Sequence, residues 1–375
     1  MMDGQSAHAN ALRENGEPEA ALDIHDELCA RHTTTGYVQA DRGLTLQSLG
    51  RFPEARTAYK QALVLEPDNP EIHCAYASLL LVQQQWQEGW QEYEWREHLQ
   101  QFNQGPTCYP PFPVWDGVDY PGQTLLIHAE QGYGDTIQFI RFVPYLAERL
   151  KMWVVLLVQE ALLPLYAEHP VLKRLRISVR PYDQAPSGNA WRLGLLSVPR
   201  WLYQWGAEGV PRPAKPLTGR FGLMPASKRW LGLVWSGRSD HPRNQQRSVP
   251  LRELLPLAAI ADIAWYSLQV GDAAADVRQL DEWPVVDLSS ALVDFGVTAA
   301  VLSQLDGVIT VDTAVAHLAG SLGVPTWLLL NWFPDWRWGM AETETCWYPS
   351  VQLVRQQVRG SWREPVERVV RVLAR

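Results

Sequence analysis

At 375 residues, with 46% hydrophobic and 20% charged side chains, the chain has room for two or three domains and the composition of a folded protein rather than a disordered one. No apolar run approaches the roughly 18 residues of a membrane span, and the first residues, MMDGQSAHANALREN, lack the apolar core of a signal peptide. The net charge of −8 resides in residues 1–100, where 7 Lys and Arg face 16 Asp and Glu; so acidic a first part disfavours nucleic acid as its partner. Four cysteines (Cys29, Cys74, Cys108, Cys346) have no C-x-x-C spacing, which argues against a zinc site or a disulfide framework and for a reducing, cytoplasmic compartment.

Residues 1–100 contain a repeat. Gly16, Gly50 and Gln84 are spaced by 34, and the same offset links Ala21, Ala55 and Gly89, then His25, Tyr59 and Tyr93. The middle unit puts small residues (Gly43, Ala55, Ala62) where two helices must approach closely, fills the seam with Leu46, Phe52 and Tyr59, and ends at Pro67. This resembles the tetratricopeptide repeat, a helix pair with a period of 34. Three such units are expected either to dock a peptide on their concave face or to buttress the next domain.

Residues 101–123 read as a proline- and aromatic-rich linker, and an α/β domain is expected over 124–215. Thr124–His128 is predicted as a strand, followed by a loop with Gly132 and Gly134 and a helix over 137–150; the next strands are expected at Trp153–Val158, 175–179 and 191–196. Glycines after a strand allow a ligand close approach to the backbone. Because no G-x-G-x-x-G or G-K-[ST] follows, a nicotinamide site and a P-loop are disfavoured.

A second α/β domain is expected over 216–375. Its first strand, 230–235, leads into Ser236, Gly237 and a basic loop with Arg238, Arg243 and Arg247, side chains that can grip phosphate. Further strands are predicted at 263–269 and 285–288, with a helix over 295–305. The stretch 306–330 reads as a complete βαβ unit: strand Gly307–Val311, helix Ala314–Leu322 stopped by Gly323 and Pro325, strand Thr326–Leu330. Asp312 is placed as the helix cap, and Thr313 and His317 share a helix face near that end. Trp332, Trp336 and Trp338 are candidates to stack on a sugar or base, and the helix over 366–373 is expected to pack back across the first domain.

Two consecutive doubly wound, Rossmann-like domains match the GT-B architecture. Three stretches, HAEQGYGDTIQF, LVWSGR…RNQQRSVPL and VDTAVAHLAGSLGVPTWLLL, are similar to the heptosyltransferase-type glycosyltransferases (glycosyltransferase family nine), in a branch that carries tetratricopeptide repeats in front of the transferase. The resemblance implies a nucleotide-sugar donor held by Asp312, Thr313, Ala314 and His317 in the second domain, closed over by Ser236, Gly237 and Arg247, with Gln269 nearer the base. It implies an acceptor entering along Gln131, Gly132 and Gly134, and a general base at Asp135. Some family members have glycine where this chain has Ala314.

The implied chemistry is one inverting displacement, with no metal and no cofactor beyond the sugar nucleotide. A carboxylate takes the acceptor proton, and helix N–H groups and arginine receive the diphosphate. The absence of an Asp-x-Asp pair, the usual metal–diphosphate handle of the other large glycosyltransferase fold, agrees with this. A protein acceptor presented by the repeats is the leading expectation. Alternatives are a saccharide or lipid-linked acceptor, or a non-catalytic nucleotide-binding scaffold.

Overall fold

A computed structural model describes residues 2–99, 111–186, 188–222, 228–241, 243–280, 282–333 and 335–375. Most of the expected linker, with Cys108, and part of the proline-rich stretch before residue 228 lie outside the described residues. The chain forms two compact units, Met1–Cys108 with Asp335–Met340, and Tyr109–Pro334 with Ala341–Arg375.

The first unit is three helix pairs: α1 (Met2–Glu14) with α2 (Pro18–Arg31), α3 (Gly36–Ser48) with α4 (Phe52–Leu65), and α5 (Pro70–Val82) with α6 (Trp86–Tyr93). Proline opens α2 and α5, where its missing N–H costs nothing, and Asn69 caps α5 by accepting from Glu71 N and Ile72 N. The 34-residue spacing has a backbone meaning. Gly16, Gly50 and Gln84 all adopt positive φ (93°, 73° and 58°) at the turn within each pair. Glycine does this freely, whereas Gln84 bears strain on the order of 1 kcal/mol to keep the repeat geometry. Gly43 lies against the Tyr59 ring, where an added Cβ would come within 2.9 Å. Gly89 meets Leu81 in the same way, at 2.8 Å, which explains glycine in place of the repeat's alanine.

Asp335–Met340 belongs to this unit. Trp336 stands edge-on to Trp90 and Tyr93, with ring centroids 5.4 and 6.1 Å apart, and Trp338 is fully buried. The expectation that these two tryptophans face a sugar or base is therefore corrected: both are core residues of the repeat unit. Trp332 does keep an exposed indole (41%), with the Arg359 guanidinium 5.2 Å from its ring centre.

The second unit holds two wholly parallel sheets. One has β1 (Thr124–His128), β2 (Trp153–Val158), β3 (Ser178–Pro181) and β4 (Ala190–Gly194) in the order β3-β2-β1-β4. The other has β5 (Arg229–Val234), β6 (Ile263–Ser267), β7 (Val285–Asp287), β8 (Gly307–Val311), β9 (Thr326–Leu330) and β10 (Val351–Arg355) in the order β10-β9-β8-β5-β6-β7. Each order reverses direction beside its first strand, between β1 and β4 and between β5 and β8. Such switch points open a crevice at the carboxyl ends of the strands.

Short helices join the strands. The helix expected over 137–150 instead starts earlier, as α7 (Tyr133–Phe139), tightens into a 3-10 turn over Ile140–Phe142 and resumes as α8 (Val143–Ala147), with Pro144 near the break. Then come α9 (Leu163–Tyr166), α10 (Pro170–Arg174), α11 (Val198–Gln204), α12 (Asn244–Arg247), α13 (Phe295–Leu302), α14 (Ala314–Leu322) and α15 (Arg363–Leu373). Gly323, at φ 78°, ends α14 in the left-handed conformation that favours glycine. Contrary to expectation, α15 covers the six-stranded sheet: Val366, Val369 and Leu373 share a core with Leu251, Leu254, Trp265 and Val354.

Candidate active site

The switch point of the six-stranded sheet gathers most of the residues singled out from sequence. β5 and β8 are neighbours, with Val234 paired to Thr310, so the chain after β5 and the chain after β8 leave side by side. After β5, the N–H groups of Trp235 and Ser236 both donate to Gln269 Oε1 (3.1 and 2.9 Å), and Gln269 Nε2 donates to the carbonyls of Ser236 and Val270. Gln269 is thus a buried clamp on the turn, with its amide spent on protein backbone.

Beyond the clamp, Ser236 Oγ lies 3.1 Å from Ser248 Oγ, and Asn244 Nδ2 donates to it at 3.4 Å. Gly237 leaves room here for the Arg247 side chain. A Cβ at that position would come within 2.3 Å of Arg247 Nη2, so the guanidinium lies directly on the glycine backbone. α12 delivers Arg247 and Asn244 together. Arg238 is spent on Asp240 (2.7 Å), holding that carboxyl below its usual range; both side chains are largely exposed, so the pair adds little stability.

After β8, the cap of α14 is Thr313, at φ −143° and ψ 171°, one residue later than expected, and its own side chain makes no capping bond. Thr313 Oγ1 turns instead to Thr310 Oγ1, 3.3 Å away. Asp312, Thr313, Ala314 and Val315 are only half-buried. The first turn therefore presents backbone donors and the positive end of the helix dipole, a setting that favours anions. His317, one turn further, is 4% exposed, and its Nδ1 lies 3.0 Å from the Tyr348 hydroxyl.

The four-stranded sheet sends its own loop to this point. After β1, the Tyr182 hydroxyl donates to Ala129 O, and Gln159 Nε2 donates to Gln131 O (2.9 Å) while Gln159 Oε1 accepts from Thr136 Oγ1. Gly132 starts α7 and gives its N–H to Asp135 Oδ2 (2.9 Å). A Cβ on Gly134 would come within 2.8 Å of His317 Cδ2 and 3.5 Å of Ala314 Cα. The N-terminal turns of α7 and α14 are therefore in contact through a glycine. A second contact lies alongside: Tyr133 packs on Phe295 at 4.9 Å, and Gly296 lies against Pro164.

The structure thus brings Gly134, in the loop that also carries Gln131, Gly132 and Asp135, against Ala314 and His317, with Ser236, Gly237 and Arg247 after the adjacent strand end. Sequence reasoning missed the residues that hold this arrangement: Arg141, Gln159, Tyr182, Asn244, Ser248 and Tyr348. Asn244 and Ser248 lie in the basic loop itself but carry no charge to mark them, and the other four lie outside the loops and helix termini used to find the site.

Residues 43–83 match the family model for the TPR repeat. The TPR match thus falls within three helix pairs, which a parallel-sheet α/β region follows. Across 400 aligned residues it is 26% identical to Protein FlbA of Caulobacter vibrioides, an alignment that covers 96% of this chain but 64% of that relative, so the chain spans under two thirds of its length. Among solved structures, the second TPR of Spaghetti (RPAP3), bound to an HSP90 peptide, aligns to 26% of this chain and 91% of that one, with 16% identity and a TM-score of 0.25. The iron-containing dodecameric glycosyltransferase TibC from enterotoxigenic E. coli H10407 aligns to 66% of this chain and 67% of that one, with 11% identity and a TM-score of 0.46. Among the described residues, no helix is long and apolar enough to cross a membrane.

Proposed function

We propose that the chain is an inverting glycosyltransferase of GT-B type, using a nucleotide-sugar donor without a metal and a protein acceptor presented by the repeats. One observation carries the reading: the half-buried first turn of α14 at the switch point, in contact with Gly134 of the loop that bears Asp135, while Arg247 lies on Gly237 after the neighbouring strand. A diphosphate needs fixed donors and positive charge, and an acceptor hydroxyl needs a carboxylate within reach. Both are supplied from adjoining loops.

In the reaction, the Asp135 carboxylate takes the acceptor proton while the acceptor oxygen attacks the anomeric carbon. The bond to the donor diphosphate breaks as the new glycosidic bond forms, and the centre inverts. Negative charge growing on the leaving diphosphate is received by the α14 N–H groups and Arg247, an electrostatic role a helix terminus performs well. Gln269 acts indirectly, by fixing the turn that carries Ser236 and Gly237. The repeats carry an open surface depression lined by Thr33, Gln39, Lys60 and the 82%-exposed Val64. Free thiols at Cys29, Cys74 and Cys346 support a reducing, cytoplasmic setting.

The test is calorimetric titration with ADP, GDP and UDP, with and without EDTA, alongside Arg247→Ala. A charge-assisted phosphate contact is worth about 1.5–3 kcal/mol, so the variant should bind roughly ten- to a hundredfold more weakly. Binding abolished by EDTA, or unchanged in the variant, refutes the donor assignment. Mass spectrometry of candidate acceptors, searched for a sugar adduct, tests the protein acceptor.

A further inference from the structure

The α7–α14 junction contains a buried charge that the proposed chemistry leaves unused. Arg141 is 1% exposed, and among the described residues its hydrogen bonds go only to carbonyls: Nε to Gln138 (2.7 Å), Nη1 to Pro211 (3.2 Å) and to Trp347 (2.8 Å). Nη2 has no hydrogen-bond partner among the described residues. The guanidinium carbon stands 4.6 Å from the Tyr348 ring centre and 5.6 Å from that of Trp347. Arginine does not escape burial by losing its proton, so this charge acts on whatever surrounds it.

Tyr348 is the neighbour most affected. It is fully buried, its ring rests on the backbone of Gly320 in α14, and a Cβ on that glycine would come within 2.5 Å of Tyr348 Cγ. Its hydroxyl meets His317 Nδ1. A cation over the ring favours the phenol as donor, because donation places negative charge on its oxygen. With Tyr348 donating to Nδ1, a neutral imidazole carries its proton on Nε2. That nitrogen lies beside Gly134, 3.5 Å from where its Cβ would be, at the meeting of the two helix termini.

We propose that Arg141 and Tyr348 are positioning residues that set His317 as an Nε2–H donor toward the sugar diphosphate. Their role in binding rests on the donor reading above; the tautomer does not. Nitrogen NMR of the 15N-histidine-labelled full chain reads the tautomer directly, the His317 signal being assigned among nine histidines by its loss in His317→Ala. The expected wild-type spectrum has the proton on Nε2, and Tyr348→Phe, which keeps the ring, should abolish that preference with melting within about 5 °C of wild type. Arg141→Lys should shift the same signal. A proton on Nδ1 in the wild type, or a spectrum unchanged in Tyr348→Phe, overturns the proposal.

A binding cycle with ADP, GDP and UDP tests the role. Tyr348→Phe should weaken binding by about tenfold alone and by almost nothing in a His317→Ala background, since both remove one unit. Losses that simply add refute positioning through His317. If the wild type binds none of the three nucleotides, the donor reading and the binding role fall together, and the tautomer stands or falls on its spectrum.

Discussion

Replacing Gly134 by alanine pits two effects of known sign against each other. Gly134 lies in the first turn of α7 at ordinary negative φ, so alanine relieves the entropic cost of glycine in a helix, a gain of about 0.5–1 kcal/mol. Against this, its Cβ would come within 2.8 Å of His317 Cδ2, well inside van der Waals contact. The His317 ring cannot swing aside cheaply, because Tyr348 holds Nδ1 and the ring is buried. Overpacking of this kind costs about 1–3 kcal/mol, so the net effect should be destabilisation by roughly 1–2 kcal/mol, or about 2–8 °C in melting temperature. Gly132→Ala is the matched control: its nearest neighbour would be Asp135 Oδ2 at 3.3 Å, and its φ of −69° suits alanine. Differential scanning calorimetry of the two variants, with nucleotide titration of each, makes the comparison. A Gly134→Ala protein as stable as Gly132→Ala, with unchanged nucleotide affinity, would refute the contact between α7 and α14.

Asp135→Asn should cut transfer by about 10²–10⁴-fold with donor affinity nearly intact, measured as turnover against calorimetric Kd, because asparagine still accepts from Gly132 N–H but cannot take a proton. Gly237→Ala should mimic Arg247→Ala in nucleotide binding, since a Cβ there displaces the guanidinium. Trp336→Ala should destabilise the repeat unit by about 3–5 kcal/mol, read by chemical denaturation, through loss of packing on Trp90 and Tyr93. Burial pushes the Cys29 thiol up to about 11 and Cys74 up to about 12. The folded state therefore holds protons that the unfolded state releases near pH 9. The resulting stability is full below pH 9 and falls as pH rises toward 11–12, visible as a declining melting temperature by circular dichroism; Cys→Ser variants should show less decline.

How much of the molecule the sequence disclosed depends on the range of the interactions involved. The βαβ stretch 306–330 matched its strands and helix to the residue, because a β-branched run and an apolar run flank a helix that ends on Gly323. Its cap was misplaced by one, since Asp312 has the better capping chemistry while Thr313 has the capping backbone. β10 escaped notice: VQLVR is short and begins just after an irregular stretch, and only its pairing with β9 makes it a strand. The amphipathic pattern of α15 marks a buried face without saying which sheet buries it. Gln269 illustrates the limit at the site. The resemblance implies a contact near the base, yet the Gln269 amide bonds to the backbone of Trp235 and Ser236, about 34 residues earlier, and of Val270. Arg141 and Tyr348 carried no signal, because a lone arginine and a lone tyrosine acquire meaning only through each other.

The insertion of Asp335–Met340 into the repeat array also bears on the order in which the protein is made. The pairing of α3 with α4 is local and can form as soon as both helices have left the ribosome. Trp90 is different: Trp336 lies 246 residues further along. At about 5–20 residues per second, that interval lasts roughly 12–50 s. For that time Trp90, fully buried in the finished protein, lacks the Trp336 ring against it. A chaperone that recognises exposed aromatic surface has a defined window at Trp90, opened when α6 emerges and closed when Trp336 arrives.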